Sequence, residues 1–179
     1  MTNTHPTRVV TARLETPLGP MLAGADDDGI RLLEFADHPL LATRLKLVET
    51  RLGGTPTTGH HPLLAGLAEQ LAEYFAGSRR SFDIPPVLTG TPFRERVWRQ
   101  LLRIPYGRTI SYDELARRAD TPGGARAVGR ANGDNRIAIV VPCHRVIRAN
   151  GGLGGYGGGL GRKRQLLELE GGLPQKGLF

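Results

Sequence analysis

Two adjacent prolines, Pro85 and Pro86, constrain this chain more than any other feature. Proline fixes φ and has no N–H to donate, so neither a helix nor an inner strand runs through residues 81–90. The 179 residues are thereby cut near Thr89 into two parts, 1–88 and 89–179. With 39% hydrophobic residues, the chain has enough apolar material for one domain or for two small ones. Charge sets the parts against each other. Residues 1–90 carry 8 Lys and Arg against 10 Asp and Glu, whereas residues 91–179 carry 16 against 7, so the whole +7 excess lies in the second part. Nearly all of it is arginine, the better fork for phosphate oxygens, which points to a polyanionic partner or to a solvated basic face.

The first part reads as mixed α/β. Residues 8–14 and 21–25 are short strands joined by Pro17-Leu18-Gly19-Pro20, and after the turn Asp26-Asp27-Asp28-Gly29 a third strand covers 30–35. Leu41, Leu45 and Val48 have helical spacing within 39–52, and Leu64, Leu67, Leu71 and Phe75 have it within 63–75. His60-His61 reads as a loop pair, since no cysteine or neighbouring acid completes a metal site.

The second part reads as mostly helical. Thr91-Pro92 with Glu95 starts a helix over 91–103, and Ser111 with Glu114 makes a capping box for one over 112–119. Thr121-Pro122-Gly123-Gly124 breaks that helix before another over 125–132, a corner with helix-turn-helix layout. This last helix is rich in small residues (Ala125, Ala127, Gly129, Ala131) and carries Arg126 and Arg130, which permits close approach of a backbone to a partner. The β-branched run 137–141 reads as a strand ending at Pro142-Cys143-His144-Arg145-Val146.

Cys143 is the sole cysteine, so disulfide and cysteine-rich metal scaffolds drop out. A thiol becomes a nucleophile as thiolate, which needs a base or a positive field, and His144, Arg145 and Arg148 stand close in sequence. No apolar run is long enough to span a bilayer, and the first ten residues lack the apolar core of a secretory signal, so the expectation is a cytoplasmic protein without a membrane partner.

Pro142-Cys143-His144-Arg145-Val146 with Asn135 upstream resembles the signature of the O6-alkylguanine-DNA alkyltransferases. Ile104-Pro105-Tyr106-Gly107, Ser111-Tyr112, Ala125-Arg126-Ala127-Val128-Gly129, Gly155-Tyr156, Gly158-Gly159-Leu160 and Leu166-Leu167-Glu168-Leu169-Glu170-Gly171 follow in the family's order, covering nearly all of 91–179. The first part resembles the family in layout, best at Pro17-Leu18-Gly19-Pro20. The resemblance implies an α+β protein: an N-terminal α/β domain of ribonuclease-H-like type, then a mostly helical catalytic and DNA-binding domain with a helix-turn-helix.

It also implies single-turnover repair, in which Cys143 irreversibly accepts the alkyl group of O6-alkylguanine, with O4-alkylthymine a second candidate substrate. His144 is then the base acting through a water, Glu170 its holder, Tyr112 the donor to the leaving guanine and Asn135 the brace of the turn. The damaged base is flipped out through the minor groove with Arg126 filling the gap, and Tyr112, Ala125, Ala127, Gly129 and Arg130 lie along the DNA. Asn132, Val146, Tyr156, Gly157 and Gly158 line the substrate pocket. The partner is double-stranded DNA bearing the lesion; the protein is expected to be a monomer in solution, with single or cooperative binding along DNA both open; no cofactor and no metal are implied.

Arg136, Gly157 and Ala138 depart from the family pattern, where proline, serine and proline respectively occur, and these changes bear on alkyl size more than on the reaction. Gly152-Leu153-Gly154-Gly155-Tyr156-Gly157 fits a dinucleotide fingerprint, but too little chain follows for the second strand of its βαβ unit. Residues 151–161 read instead as a mobile loop over the active site, and Leu166, Leu167 and Leu169 as core of the last helix. Two other functions compete. A lesion sensor without transfer activity lacks the cysteine present here, and a cysteine hydrolase built on Cys143, His144 and Glu170 leaves the basic half unexplained.

Overall fold

The computed structural model describes residues 8–52 and 54–173. Most of the opening segment read for a leader, and Lys176 among the basic residues, lie outside them. The chain forms two units, Met1–Val87 and Leu88–Phe179.

In the first unit β1 (Val10–Leu14), β2 (Met21–Asp26) and β3 (Gly29–Phe35) form an antiparallel meander, and β4 (Thr57–Thr58) adds parallel to β1, giving the order β3-β2-β1-β4. Met21, Ala23, Ile30, Leu33 and Phe35 are fully buried. Helix α1 (Leu41–Leu52) packs beside β3, where Arg44 pairs with Glu34, both buried. Helix α2 (Pro62–Phe75) buries Leu64, Leu67, Leu71 and Tyr74, so the last apolar contact is made by Tyr74 rather than by the expected Phe75. His61 caps this helix, its Nδ1 accepting from Leu63 N at 3.2 Å. Asp27 lies 3.3 Å from its Nε2, an acidic neighbour that sequence distance concealed.

Residues 85–87 are more than a linker. Ile30 N donates to Pro85 O at 2.9 Å and Val87 N donates to Ile30 O at 2.8 Å, so this stretch lies along the outer edge of β3. Proline is tolerated there because an edge leaves its missing donor without consequence. Gly29 permits the approach, since a Cβ at its position would stand 2.3 Å from Pro85 O.

In the second unit helices α3 (Pro92–Leu101), α4 (Tyr112–Arg118) and α5 (Ala125–Gly133) pack on one another. Thr91 Oγ1 caps α3 at Arg94 N and Ser111 Oγ caps α4 at Glu114 N. The buried Trp98 of α3 donates Nε1 to Ala131 O at 2.7 Å, fixing α3 against α5. Ile110 and Ser111 form β5, parallel to β6 (Val146–Ile147), and α6 (Leu160–Glu170) follows.

The strand expected over 137–141 is absent: Ile137 makes a single β-bridge, residues 138–140 form a turn and Val141 a bend. Val140 N donates to Ala138 O and Val141 N to Ile137 O, so the backbone closes on itself, and Ile139 takes a left-handed φ of 71°. A β-branched residue is strained there by about 1–3 kcal/mol. What replaces strand pairing is Asn135, whose Nδ2 donates to Val141 O at 2.8 Å and whose Oδ1 accepts from Ile137 N at 3.0 Å.

Candidate active site

Cys143, the candidate nucleophile, sits at the end of this buried turn. Pro142 has φ −82° and ψ 64°, Cys143 N donates to Val141 O at 2.8 Å, and Cys143–Arg145 make one 3₁₀ turn. These values and this bond make an inverse γ-turn centred on Pro142. Cys143 is 7% exposed and His144 is wholly buried. Asn132, on the inner face of α5, donates Nδ2 to Cys143 O at 3.3 Å. It therefore supports the nucleophile's backbone, a more definite place than the pocket-lining role expected of it.

Glu170, at the end of α6, organises the rest. His144 Nε2 lies 2.8 Å from Glu170 Oε1, while Arg145 donates Nε to Oε2 at 2.8 Å and Nη2 to Oε1 at 2.9 Å. Arg145 Nη1 also donates to Ile104 O at 2.6 Å. Burial pushes Glu170 up, but the hydrogen bonds and charges of His144 and Arg145 outweigh it and bring the carboxyl down to about 2. Sequence adjacency suggested that Arg145 acts on the thiol; the structure commits it to Glu170 and Ile104.

His144 differs from the sequence expectation in its charge. A carboxylate neighbour alone favours imidazolium, yet burial lowers the His144 pKa further than Glu170 raises it, and Arg145 and Lys163 push the same way as burial. The ring is neutral at rest, as a proton acceptor must be. With Nε2 turned to Glu170, the other nitrogen, Nδ1, is buried without a hydrogen-bond partner among the described residues.

Tyr112 begins α4 directly after β5, and the β5–β6 pairing sets it beside the Cys143 turn. Burial raises its pKa, as does the charge of Cys143, so the phenol keeps its proton. Its ring rests on two glycines: a Cβ at Gly129 would lie 3.6 Å from Tyr112 Cδ1, and one at Gly154, where φ is +70°, would lie 2.7 Å from the hydroxyl oxygen. Gly129, expected along the DNA, is half-buried beside the Tyr112 ring, at a distance where a Cβ would make ordinary contact. Arg126, Ala127 and Arg130 form the exposed face of α5, and Ala125 is half-buried.

Residues 148–159 connect β6 to α6 without regular structure. Tyr156 and Gly158 are half-buried, Gly157 is exposed and Val146 is fully buried. The buried positions of α6 are Lys163, Leu166, Leu167 and Glu170, while Leu169 is half-buried rather than core. Sequence reading passed over Lys163, although its spacing of three, four and seven residues from Leu166, Leu167 and Glu170 puts it on the inward stripe.

Family comparisons agree with both units. The model of the 6-O-methylguanine DNA methyltransferase ribonuclease-like domain matches residues 9–87, and that of the same protein's DNA-binding domain matches residues 92–172. A methylated-DNA--protein-cysteine methyltransferase of Mycobacterium tuberculosis is 48% identical over 162 residues, covering 88% of this chain and 89% of its own length. One of Shigella flexneri is 42% identical over 167 residues, covering 92% and 96%. Among solved structures, Mycobacterium tuberculosis OGT in complex with DNA superposes with a TM-score of 0.76 at 44% identity, covering 92% of each chain. Together these place the chain in the 6-O-methylguanine DNA methyltransferase family.

Proposed function

We propose that this protein repairs DNA by moving the alkyl group of O6-alkylguanine onto Cys143, once per molecule. The observation that carries the reading is a buried Cys143 whose neighbour His144 is neutral, fixed by Glu170 through one nitrogen and unpartnered at the other. In the reaction His144 Nδ1 takes the thiol proton through a bridging water. The thiolate sulfur attacks the alkyl carbon, the S–C bond forms as the C–O bond breaks, and the electron pair goes to the purine. Tyr112 gives its proton to the leaving guanine and regains one from solvent. The thioether product has no leaving group that water displaces, so the protein is consumed.

The exposed face of α5 suits the DNA side of this reading. A thiol this enclosed reaches no stacked base, so the nucleotide must leave the helix. Arg126 is exposed on a helix of small residues, the second of a pair with helix-turn-helix layout, which fits a wedge entering the minor groove from a protein that binds as a monomer. The test is intact mass after incubation with duplex DNA containing O6-methylguanine. The expected result is a gain of one methyl group, mapped to Cys143, stoichiometric with protein and absent in Cys143→Ser. Repeated turnover, or an unchanged mass with DNA bound, overturns the proposal.

A further inference from the structure

Lys163 is the buried charge for which the reaction above has no use. It is wholly buried in α6, its Nζ donates to Val146 O at 2.6 Å and to Gly155 O at 3.1 Å, and it stands 5.9 Å from the centre of the Tyr112 ring. Val146 follows the Cys143 turn directly, and Gly155 lies in the connection 148–159. One ammonium therefore ties together the strand after the nucleophile, the loop before α6 and the ring of Tyr112. Two carbonyls take two of its three N–H donors and do not balance its charge, and every cation costs several kcal/mol to bury uncompensated.

We propose that Lys163 is a positioning residue for alkyl transfer, its fixed ammonium serving as the counter-charge of the Cys143 thiolate while its two carbonyl bonds hold the loop against the site. This rests on the alkyl-transfer reading and deepens it. When the thiol proton passes to His144, the imidazolium so formed faces Glu170, and Glu170 also holds Arg145. The two cations of that network, His144 and Arg145, are both directed to the one Glu170 carboxylate, whereas the charge of Lys163 acts on Cys143. The charged groups facing Lys163 are Cys143, which favours its ammonium, and Arg148, which opposes it; Tyr112 lies against it, and His144 is itself lowered by it. Burial brings Lys163 down to about 8, so the counter-charge is lost within an accessible range of pH.

The test is the pH dependence of single-turnover methyl transfer from duplex O6-methylguanine, for the wild type, Lys163→Arg and Lys163→Met, each checked for folding by circular dichroism. The wild-type rate is expected to fall on an alkaline limb near the Lys163 value of about 8. Lys163→Arg, whose guanidinium does not titrate there, loses that limb, and Lys163→Met is slower at neutral pH by about tenfold and has no limb. The wild-type limb persisting in either variant overturns the proposal. If both variants fail to fold, the Nζ resonance of Lys163 is titrated by NMR in wild type and Cys143→Ser; removing the thiolate must lower that titration, and an unmoved titration overturns the proposal. If the wild type transfers no methyl group, the alkyl-transfer reading fails by itself. The same pH series with iodoacetamide then judges Lys163, with the thiol midpoint of Lys163→Met raised by about one pH unit as the expected result and an unshifted midpoint as the contrary one.

Discussion

Replacing Glu170 by glutamine changes no shape and removes one charge, which makes it the sharpest probe of the buried network. The carboxylate accepts from His144 once and from Arg145 twice, at 2.8, 2.8 and 2.9 Å. An amide has one accepting atom, so its NH₂ group must face a donor of Arg145 or His144, and the Arg145 guanidinium, 7% exposed, is left without its anion. The drop of the Glu170 pKa from 4.5 to about 2 converts to about 3 kcal/mol of folding stability, close to the range of about 3–5 kcal/mol for breaking a buried pair. For a chain of this size that lowers Tm by about 6–12 °C. Because the folded-state value lies below the unfolded one, the contribution is complete above pH 4.5 and disappears as pH falls towards 2, so wild type and variant converge in acid. On the chemical side the variant deprives the base His144 of its anion, and single-turnover transfer is expected to fall about 100-fold, at the low end for a general base. Thermal melts over a pH series and quenched-flow transfer at 25 °C read both effects. A Glu170→Gln protein that melts like the wild type at neutral pH, or that transfers within about threefold of it while folded, refutes the reasoning.

Three further substitutions separate DNA handling, ring placement and turn geometry. Arg126→Ala is expected to slow repair of duplex O6-methylguanine at least tenfold while reaction with the free base stays within about twofold, since only the duplex requires extrusion; equal losses on both substrates, in parallel kinetic assays, contradict a wedge role. Gly154→Ala puts a Cβ 2.7 Å from the Tyr112 hydroxyl at a φ of +70°, so transfer is expected to drop about tenfold with duplex affinity unchanged, as read by single-turnover rates beside fluorescence anisotropy. Asn135→Ala strands Ile137 N in a buried turn, while Val141 O keeps the donor Cys143 N, which predicts a loss of about 1–3 kcal/mol in denaturant unfolding; a loss below about 0.5 kcal/mol shows that the turn holds without it.

The elements that announced themselves in sequence are those whose signals are local. Thr91 and Ser111 are caps because a hydroxyl reaches an amide three residues on, and both caps form as spaced. Cys143 and His144 were legible because they are adjacent. Residues 137–141 were misread because β-branched side chains report burial, and burial alone does not distinguish a strand from a turn whose amides are served by Asn135, a side chain outside the run. Pro85 and Pro86 marked a break correctly, while the docking of their neighbours on β3 depends on an edge that only the assembled sheet provides. Arg145 illustrates the same limit at the site: its closeness to Cys143 in sequence said nothing of Glu170, 25 residues away, or of Ile104, 41 residues away.

The inward stripe of α6 explains why so much charge is buried in one place. Lys163, Leu166, Leu167 and Glu170 occupy positions that a purely structural helix fills with apolar residues, and the two charged ends of the stripe flank two leucines. Glu170 meets His144 and Arg145, and Lys163 meets the carbonyls beside the nucleophile. Replacing such groups with apolar ones is commonly neutral or stabilising, so stability does not account for them. A reaction that creates an anion on sulfur and a cation on imidazole inside a water-poor turn does require both signs to be in place beforehand, because dipoles that must reorient during the step add to its barrier. With one helix holding the counter-charges of both, a single rigid element sets the distance between the two ends of the proton transfer.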